Sequence, residues 1–344
     1  MSAPATLAKI GILSIGDMGM GIAKLLIANG FAVATNCKGR SQETIDRAQA
    51  ANVEVLKSDV ALTDTCSVIL SVVPPRDALS TVTRVVESLV GVTSRESPLY
   101  FVDLNAVAPS TARQTAELIT KSRAPIRFVD GCILGGPPSI KKGSSSTNAN
   151  TGEDEDKDVH NISWSRPSIP TSGPYQLAEI PIYGEKLAAT LNTRHISPGI
   201  GAASGLKMCF ASTTKGFTAL AIQSFTTAAK LGVLDELKQE LSDRGAWERA
   251  AGGVTAMAPK AYRWVREMEE IALTFEEDGG FAPDSFQGAA KVFQAVADSE
   301  LGQEKIGNRK RGTTVEDVAA ALSEGMDKKR KRQSELRHPL TFDW

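Results

Sequence analysis

The first 130 residues alternate short apolar runs with segments of helical spacing, an order that only layered α/β architectures satisfy economically. The runs are AKIGILS (8–14), FAVATN (31–36), VEVL (53–56), SVILSVVPP (67–75), LYFVDLN (99–105) and RFVD (127–130). Helical spacing fills the gaps, from Asp17 to a stop at Gly30, from Ser41 to about Ala51, and over 76–90 and 109–121. The expectation is a doubly wound α/β domain whose parallel sheet is covered by helices on both faces.

The pattern breaks after Pro138. Residues 141–165 hold a Ser-, Asn- and Gly-rich stretch followed by an acidic run, too polar to fold, and are expected to be a disordered, solvated insertion. Ile169–Thr171, a helical stretch near 180–192 and RHIS (194–197) then complete the sheet. From Ala202 onward only helical segments follow, at about 203–231, 233–243, 259–276, 284–298 and 314–335. Two domains are therefore expected, 1–198 of the Rossmann type and 199–344 all-α.

Composition narrows the class. A chain that is 42% hydrophobic and 23% charged is globular, and no stretch reaches the roughly 20 apolar residues a membrane span needs. Lys and Arg total 39 against 40 Asp and Glu, so neither nucleic acid nor a membrane is an expected partner. Met1–Leu7 lacks the basic flank and apolar core of a signal peptide, which points to a cytoplasmic protein. Four cysteines without a CxxC and three scattered histidines make neither a disulfide framework nor a metal site. The run Lys328–Arg332 reads as a solvated helix face, with nuclear import as the alternative.

The local chemistry begins at Ser14-Ile15-Gly16-Asp17-Met18-Gly19, between the first strand and first helix, where a dinucleotide fingerprint belongs. Gly16 would let the backbone approach a pyrophosphate, and Gly19 would let helix and strand pack closely. The helix start supplies N–H donors and a positive dipole end. At the end of the second strand, where an acid would take the ribose hydroxyls of NAD, stands Asn36, followed by Lys38, Arg40 and Ser41. Two cations and a hydroxyl suit a 2′-phosphate, so the expected cofactor is NADP.

These residues, within GILSIGDMGMGIAKLLIANGFAVATNCKGRS, resemble the opening of the β-hydroxyacid dehydrogenase superfamily, which includes phosphogluconate dehydrogenase and the imine reductases. SVVPP (71–75), with Val73 and Pro74, is similar to its fourth-strand loop beside the adenosine, and DLNAVAP (103–109), with Asn105, to its loop near the nicotinamide ribose. DGCILGGPP (130–138), with Leu134, Gly135 and Gly136, resembles its substrate loop, and GIGAASGLKM (199–208) its glycine-flanked lysine segment. TKGFTALAIQS and RWVREMEEIA resemble the phosphogluconate-dehydrogenase-like C-terminal domain. The resemblance implies that Lys207 is the general acid/base and that Asn105 binds the nicotinamide ribose or a substrate oxygen.

Two positions depart from hydroxyacid-oxidising members: Leu134 stands where Ser usually precedes the Gly-Gly pair, and Ala211 where Asn usually follows the lysine. With Phe210 they describe an apolar substrate pocket. The small-molecule substrate is then a carbonyl or hydroxy compound, with an imine reductase or a silent NADP-binding protein as alternatives. Lys215, eight residues past Lys207 and about 80° around an ideal helix, is a further substrate candidate. In RWVREMEEIA, Trp264, Met268, Ile271 and Ala272 read as a buried helix face. The length of the 202–231 segment, its small residues and its Phe210, Phe217, Leu220 and Phe225, together with the resemblance, predict a homodimer through the helical domain.

Overall fold

The structure is a computed structural model that describes residues 7–92, 95–141, 163–305 and 307–337. It forms two compact units, Met1–Lys207 and Met208–Trp344.

The first unit is built on strands β1 (Lys9–Leu13), β2 (Ala32–Asn36), β3 (Glu54–Leu56), β4 (Val68–Ser71), β5 (Leu99–Asp103), β6 (Ile126–Gly131), β9 (Ile169–Ser172) and β10 (Thr193–Ser197), with a small ladder of β7 (Ser139–Ile140) and β8 (Trp164–Ser165) beside it. The eight-stranded sheet has the order β10-β9-β6-β5-β4-β1-β2-β3. Its helices are α1 (Asp17–Ala28), α2 (Gln42–Ala50), α3 (Asp59–Thr65), α4 (Ala78–Glu87), α5 (Pro109–Ser122) and α6 (Gly184–Leu191), and α7 (Ala202–Ala211) runs across the boundary between the units.

The unbroken apolar runs are explained by burial on both sides. Ile10, Ile12, Leu70, Val102 and Val129 join a core with Ile22 and Leu26 of α1 and Leu187 of α6. Their chain neighbours Leu13, Ile69, Phe101 and Phe128 point the other way, onto Leu62 of α3, Val82 and Val85 of α4 and Ile119 of α5. Fully burying each such side chain contributes about 1.5–3 kcal/mol.

The expected doubly wound sheet is parallel except at one pair of strands, which makes it mixed. β9 runs antiparallel to β6 through Asp130↔Ser172 and Gly131↔Thr171, while β10 is parallel to β9. A parallel return needs a crossover helix, and the described chain after β6 supplies the β7–β8 ladder instead. That ladder also corrects the ends of the expected insertion. Ser139 pairs with Ser165 and Ile140 with Trp164, and Lys141 N–H donates to the Ser163 carbonyl at 2.9 Å. Residues 142–162 lie outside the described residues.

The second unit has no β-strand among its described residues. Its helices are α8 (Phe217–Leu231), α9 (Leu234–Asp243), α10 (Trp247–Met257), α11 (Ala261–Glu277), α12 (Asp284–Asp298) and α13 (Val315–Arg337). The long helix read from 203 to 231 is not one α-helix, because a π-helical turn at Ser212–Gly216 separates α7 from α8. Helix α10 was not expected, since Gly252 and Gly253 lower helix propensity. Packing decides there: a Cβ on Gly253 would lie 2.8 Å from the Thr218 Oγ1 of α8. Met268, Ile271 and Ala272 are buried on α11 as expected, and Trp264 meets Phe293 edge-on at 5.2 Å. No helix among the described residues is long and apolar enough to cross a membrane.

Candidate functional site

Parallel strands bring their carboxyl ends to one edge of the sheet, so the loops after β1, β2, β4, β5 and β6 converge although they are far apart in sequence. Ser14, Ile15 and Gly16 form the first of these loops. Gly16 precedes α1 with an extended backbone and no side-chain cap, and a Cβ built on it meets nothing within 4 Å. A Cβ on Gly19 would fall on the Ser14 carbonyl oxygen, and one on Gly21 would lie 2.9 Å from Pro138. One glycine thus opens space before a helix N-terminus while two let α1 pack closely, as a pyrophosphate cradle requires. Asp17 is exposed and Met18 partly buried in the first turn. Arg47 of α2 donates to the Ile15 carbonyl at 3.2 Å and steadies the loop.

At the end of β2 the Asn36 side chain is used at both ends. Its Nδ2 donates to Asp59 at 2.8 Å and its Oδ1 accepts the Lys38 N–H at 2.9 Å. The Cys37–Arg40 turn follows, closed by Arg40 N–H on the Cys37 carbonyl at 3.0 Å, with Gly39 left-handed at φ +74°. Ser41 caps α2 by accepting from Thr44 N–H at 3.4 Å. Lys38 and Arg40 are exposed on this turn, and Ser14, Asn36, Arg40, Val73 and Arg84 line one cavity.

Val73 and Pro74 follow β4. Asn105, after β5, is only 3% exposed and committed inside the protein: its Oδ1 accepts the Val73 N–H at 2.7 Å and its Nδ2 donates to Ser71 at 3.0 Å. It clips the loop after β4 to the loop after β5. Its own N–H donates to Asp103 at 2.9 Å. Burial pushes the Asp103 carboxyl up to about 7, opposed by that bond and reinforced by its cross-strand neighbour Asp130.

Asp130 is the positioning residue of the candidate site that sequence reasoning missed. Its carboxylate accepts from Gly201 N–H at 2.9 Å, Ser204 N–H at 3.3 Å, Ser204 Oγ at 2.6 Å and Ser172 Oγ at 2.7 Å. It caps α7 from a distant strand, satisfying orphan donors and the helix dipole. Nothing local signals this, since the cap and the helix are more than 70 residues apart.

That anchoring sets the position of Lys207, whose Nζ donates to the Ile133 carbonyl at 2.7 Å in the loop after β6. Burial holds the Lys207 amine below its ordinary value of 10.5, opposed by neighbouring Cys132. Burial also pushes the Cys132 thiol up to about 12, so it stays protonated at neutral pH. Leu134 pairs with Ser168, and the exposed Gly135 takes φ +133°, where a side chain would be strained and would meet Pro167. Gly136 is exposed beside it.

Phe210, Ala211 and Lys215 belong to the second unit. Phe210 is exposed and Ala211 buried. The Lys215 ammonium forms an ion pair with Glu267 and sits 5.2 Å from the Trp264 ring centre. The angle of about 80° from Lys207 assumed an ideal α-helix and does not hold across the π turn.

The model of the NAD-binding domain of 6-phosphogluconate dehydrogenase matches residues 9–161, and that of DUF1932, a domain of unknown function, residues 228–296. A curated relative from Methanothermus fervidus, an uncharacterized 28.5 kDa protein in the 7S RNA 5′ region, is 25% identical over 236 residues, 68% of this chain and 76% of that protein. Among solved structures, the Mycobacterium tuberculosis 3-hydroxyisobutyrate dehydrogenase with L-serine superposes with a TM-score of 0.58 at 15% identity, covering 92% of this chain and 99% of that one. A conserved protein of unknown function, described as structurally similar to 3-hydroxyacid dehydrogenases, gives 0.53 at 23% identity over 84% of this chain and 97% of its own. Residues 9–161 thus resemble the NAD-binding domain of 6-phosphogluconate dehydrogenase in sequence, and the chain shares the fold of the 3-hydroxyisobutyrate dehydrogenase.

Proposed function

We propose that the chain is an NADP(H)-dependent oxidoreductase acting on a small carbonyl or hydroxy compound, with Lys207 as general acid/base. The observation that carries this reading is the Lys207 amine, buried, lowered in pKa and aimed at the Ile133 carbonyl in the loop after β6. An amine whose pKa is lowered by burial gives up its proton more readily than a solvated one. The nicotinamide, when bound, supplies or accepts the hydride. The chain's own share is to seat the pyrophosphate over Gly16 and the α1 N-terminus and to meet the 2′-phosphate with Lys38 and Arg40. Asn105 holds the Val73 loop in place, and Nζ of Lys207 holds the proton that moves to or from the substrate oxygen.

NADPH consumption with a panel of small ketones, aldehydes and cyclic imines tests the activity. Turnover of carbonyls that disappears in Lys207→Met supports the reading. Turnover of imines alone would assign imine reduction, and tight NADPH binding without any turnover would leave a cofactor-binding protein. NADPH and NADH titrations test the cofactor, and equal affinities would refute the NADP(H) preference.

We also propose that the protein is a homodimer. Phe210, Phe217, Leu220 and Leu231 are 47%, 37%, 65% and 71% exposed along the long helical segment, apolar side chains that a second copy of the helical unit would cover. Light scattering at low micromolar concentration should give twice the 36.5 kDa chain mass, and an active monomer would refute it.

A further inference from the structure

Cofactor choice in sheets of this kind is read at the end of β2, where an acid accepts the ribose hydroxyls of NAD and repels a 2′-phosphate. Asn36 occupies that position, but an acid stands one hydrogen bond away. Asp59, the first residue of α3, accepts the Asn36 Nδ2 at 2.8 Å. It is itself gripped by Arg84 of α4, whose Nε and Nη2 donate to its two oxygens at 2.9 Å each. The Asp59 side chain is 18% exposed, so its charge is poorly screened by water. Asn36, Arg40 and Arg84 line the same cavity, together with Thr44 and Thr81.

Resting on the NADP(H) reading above, we propose that Asp59 is a latent NAD-selecting carboxylate and that Arg84 is the specificity-determining residue that neutralises it, so that the pocket accepts a 2′-phosphate. A bare carboxylate here, one hydrogen bond behind Asn36 and poorly screened by water, would repel the phosphate. The guanidinium fork occupies both oxygens and cancels the charge. It leaves Asp59 free to orient Asn36, whose Oδ1 in turn fixes the Lys38 N–H at the start of the cationic turn. Arg84 therefore acts on selectivity from a helix some 40 residues beyond the turn that carries the other cations.

The test is fluorescence titration of NADPH and NADH at fixed ionic strength into wild type, Arg84→Met, Arg84→Lys and the double variant Arg84→Met/Asp59→Asn, with circular dichroism to check folding. Arg84→Met should lose on the order of tenfold or more in NADPH affinity while NADH affinity is unchanged or improved. Arg84→Lys, which keeps the charge, should retain most of the preference. The double variant should recover NADPH binding, because the repelling charge is gone.

A double variant as weak for NADPH as the single one would overturn the latent-acid proposal, as would an Arg84→Met that weakens both cofactors equally. A wild type that prefers NADPH and an Arg84→Met that keeps that preference would sink this inference alone. Equal wild-type affinities would sink the NADP(H) reading and the inference with it. Should Arg84→Met fail to fold, Asp59→Asn alone decides: NADPH affinity held or tightened at constant NADH affinity supports the proposal, and a selective loss of NADPH overturns it.

Discussion

The Nζ of Lys207 donates to the carbonyl oxygen of Ile133 at 2.7 Å, and this bond joins helix α7 to the loop that follows β6. It exists because Asp130, three residues before Ile133, caps the N-terminus of the same helix through Gly201 and Ser204. One loop thus both anchors the helix and receives its lysine, which fixes the amine where burial lowers its pKa.

Replacing Lys207 by Met should remove most turnover, roughly 10²- to 10⁴-fold, with NADPH affinity nearly unchanged. In the wild type, alcohol oxidation needs the neutral amine and should rise with pH through the lowered Lys207 pKa, below the ordinary 10.5, while carbonyl reduction falls over the same range. Steady-state rates across pH in both directions check this, and an unchanged profile in Lys207→Met would reassign the residue.

The two fingerprint glycines should separate binding from folding. Gly16→Ala adds a methyl into open space at an extended backbone, so the thermal melt should hardly move while NADPH affinity drops. Gly19→Ala drives a methyl into the Ser14 carbonyl and should lower stability by about 1–3 kcal/mol. Melts and cofactor titrations on the two variants provide the check, and the reverse pattern would misplace the cradle.

Asp103 links stability to pH. Its carboxyl titrates near 7 in the folded protein against an ordinary 3.8, so between those values the folded state binds the extra proton. Its stabilising contribution is fully present below about 3.8 and is lost as pH rises through about 7. Asp103→Asn, which keeps an acceptor for the Asn105 N–H, should therefore gain melting temperature relative to wild type as pH goes from 4 to 8. Parallel curves for the two proteins would show that the carboxyl is not raised.

The Lys215–Glu267 pair has side chains only 13% and 12% exposed, so removing one partner strands a charge. Lys215→Met should cost about 3–5 kcal/mol, and Lys215→Met/Glu267→Leu distinctly less, by chemical denaturation. A double variant no more stable than the single would show that the ion pair carries little of the effect.

The sequence by itself determined the layered α/β unit, because unbroken apolar runs such as VILS and LYFVD have no other way to bury both faces. It determined the fingerprint turn as well, since Gly16 and Gly19 act within a few residues of the strand they follow. The tertiary structure alone decided the antiparallel placement of β9 and helix α10, each set by partners distant in the chain, and it alone revealed the π turn at Ser212–Gly216. It also decided the electrostatics of the site. Asp130 capping α7, Asp59 joining Asn36 to Arg84, and Glu267 taking Lys215 are pairings across 23 to 74 residues, whose energies come from burial and hydrogen-bond geometry that no local spacing records.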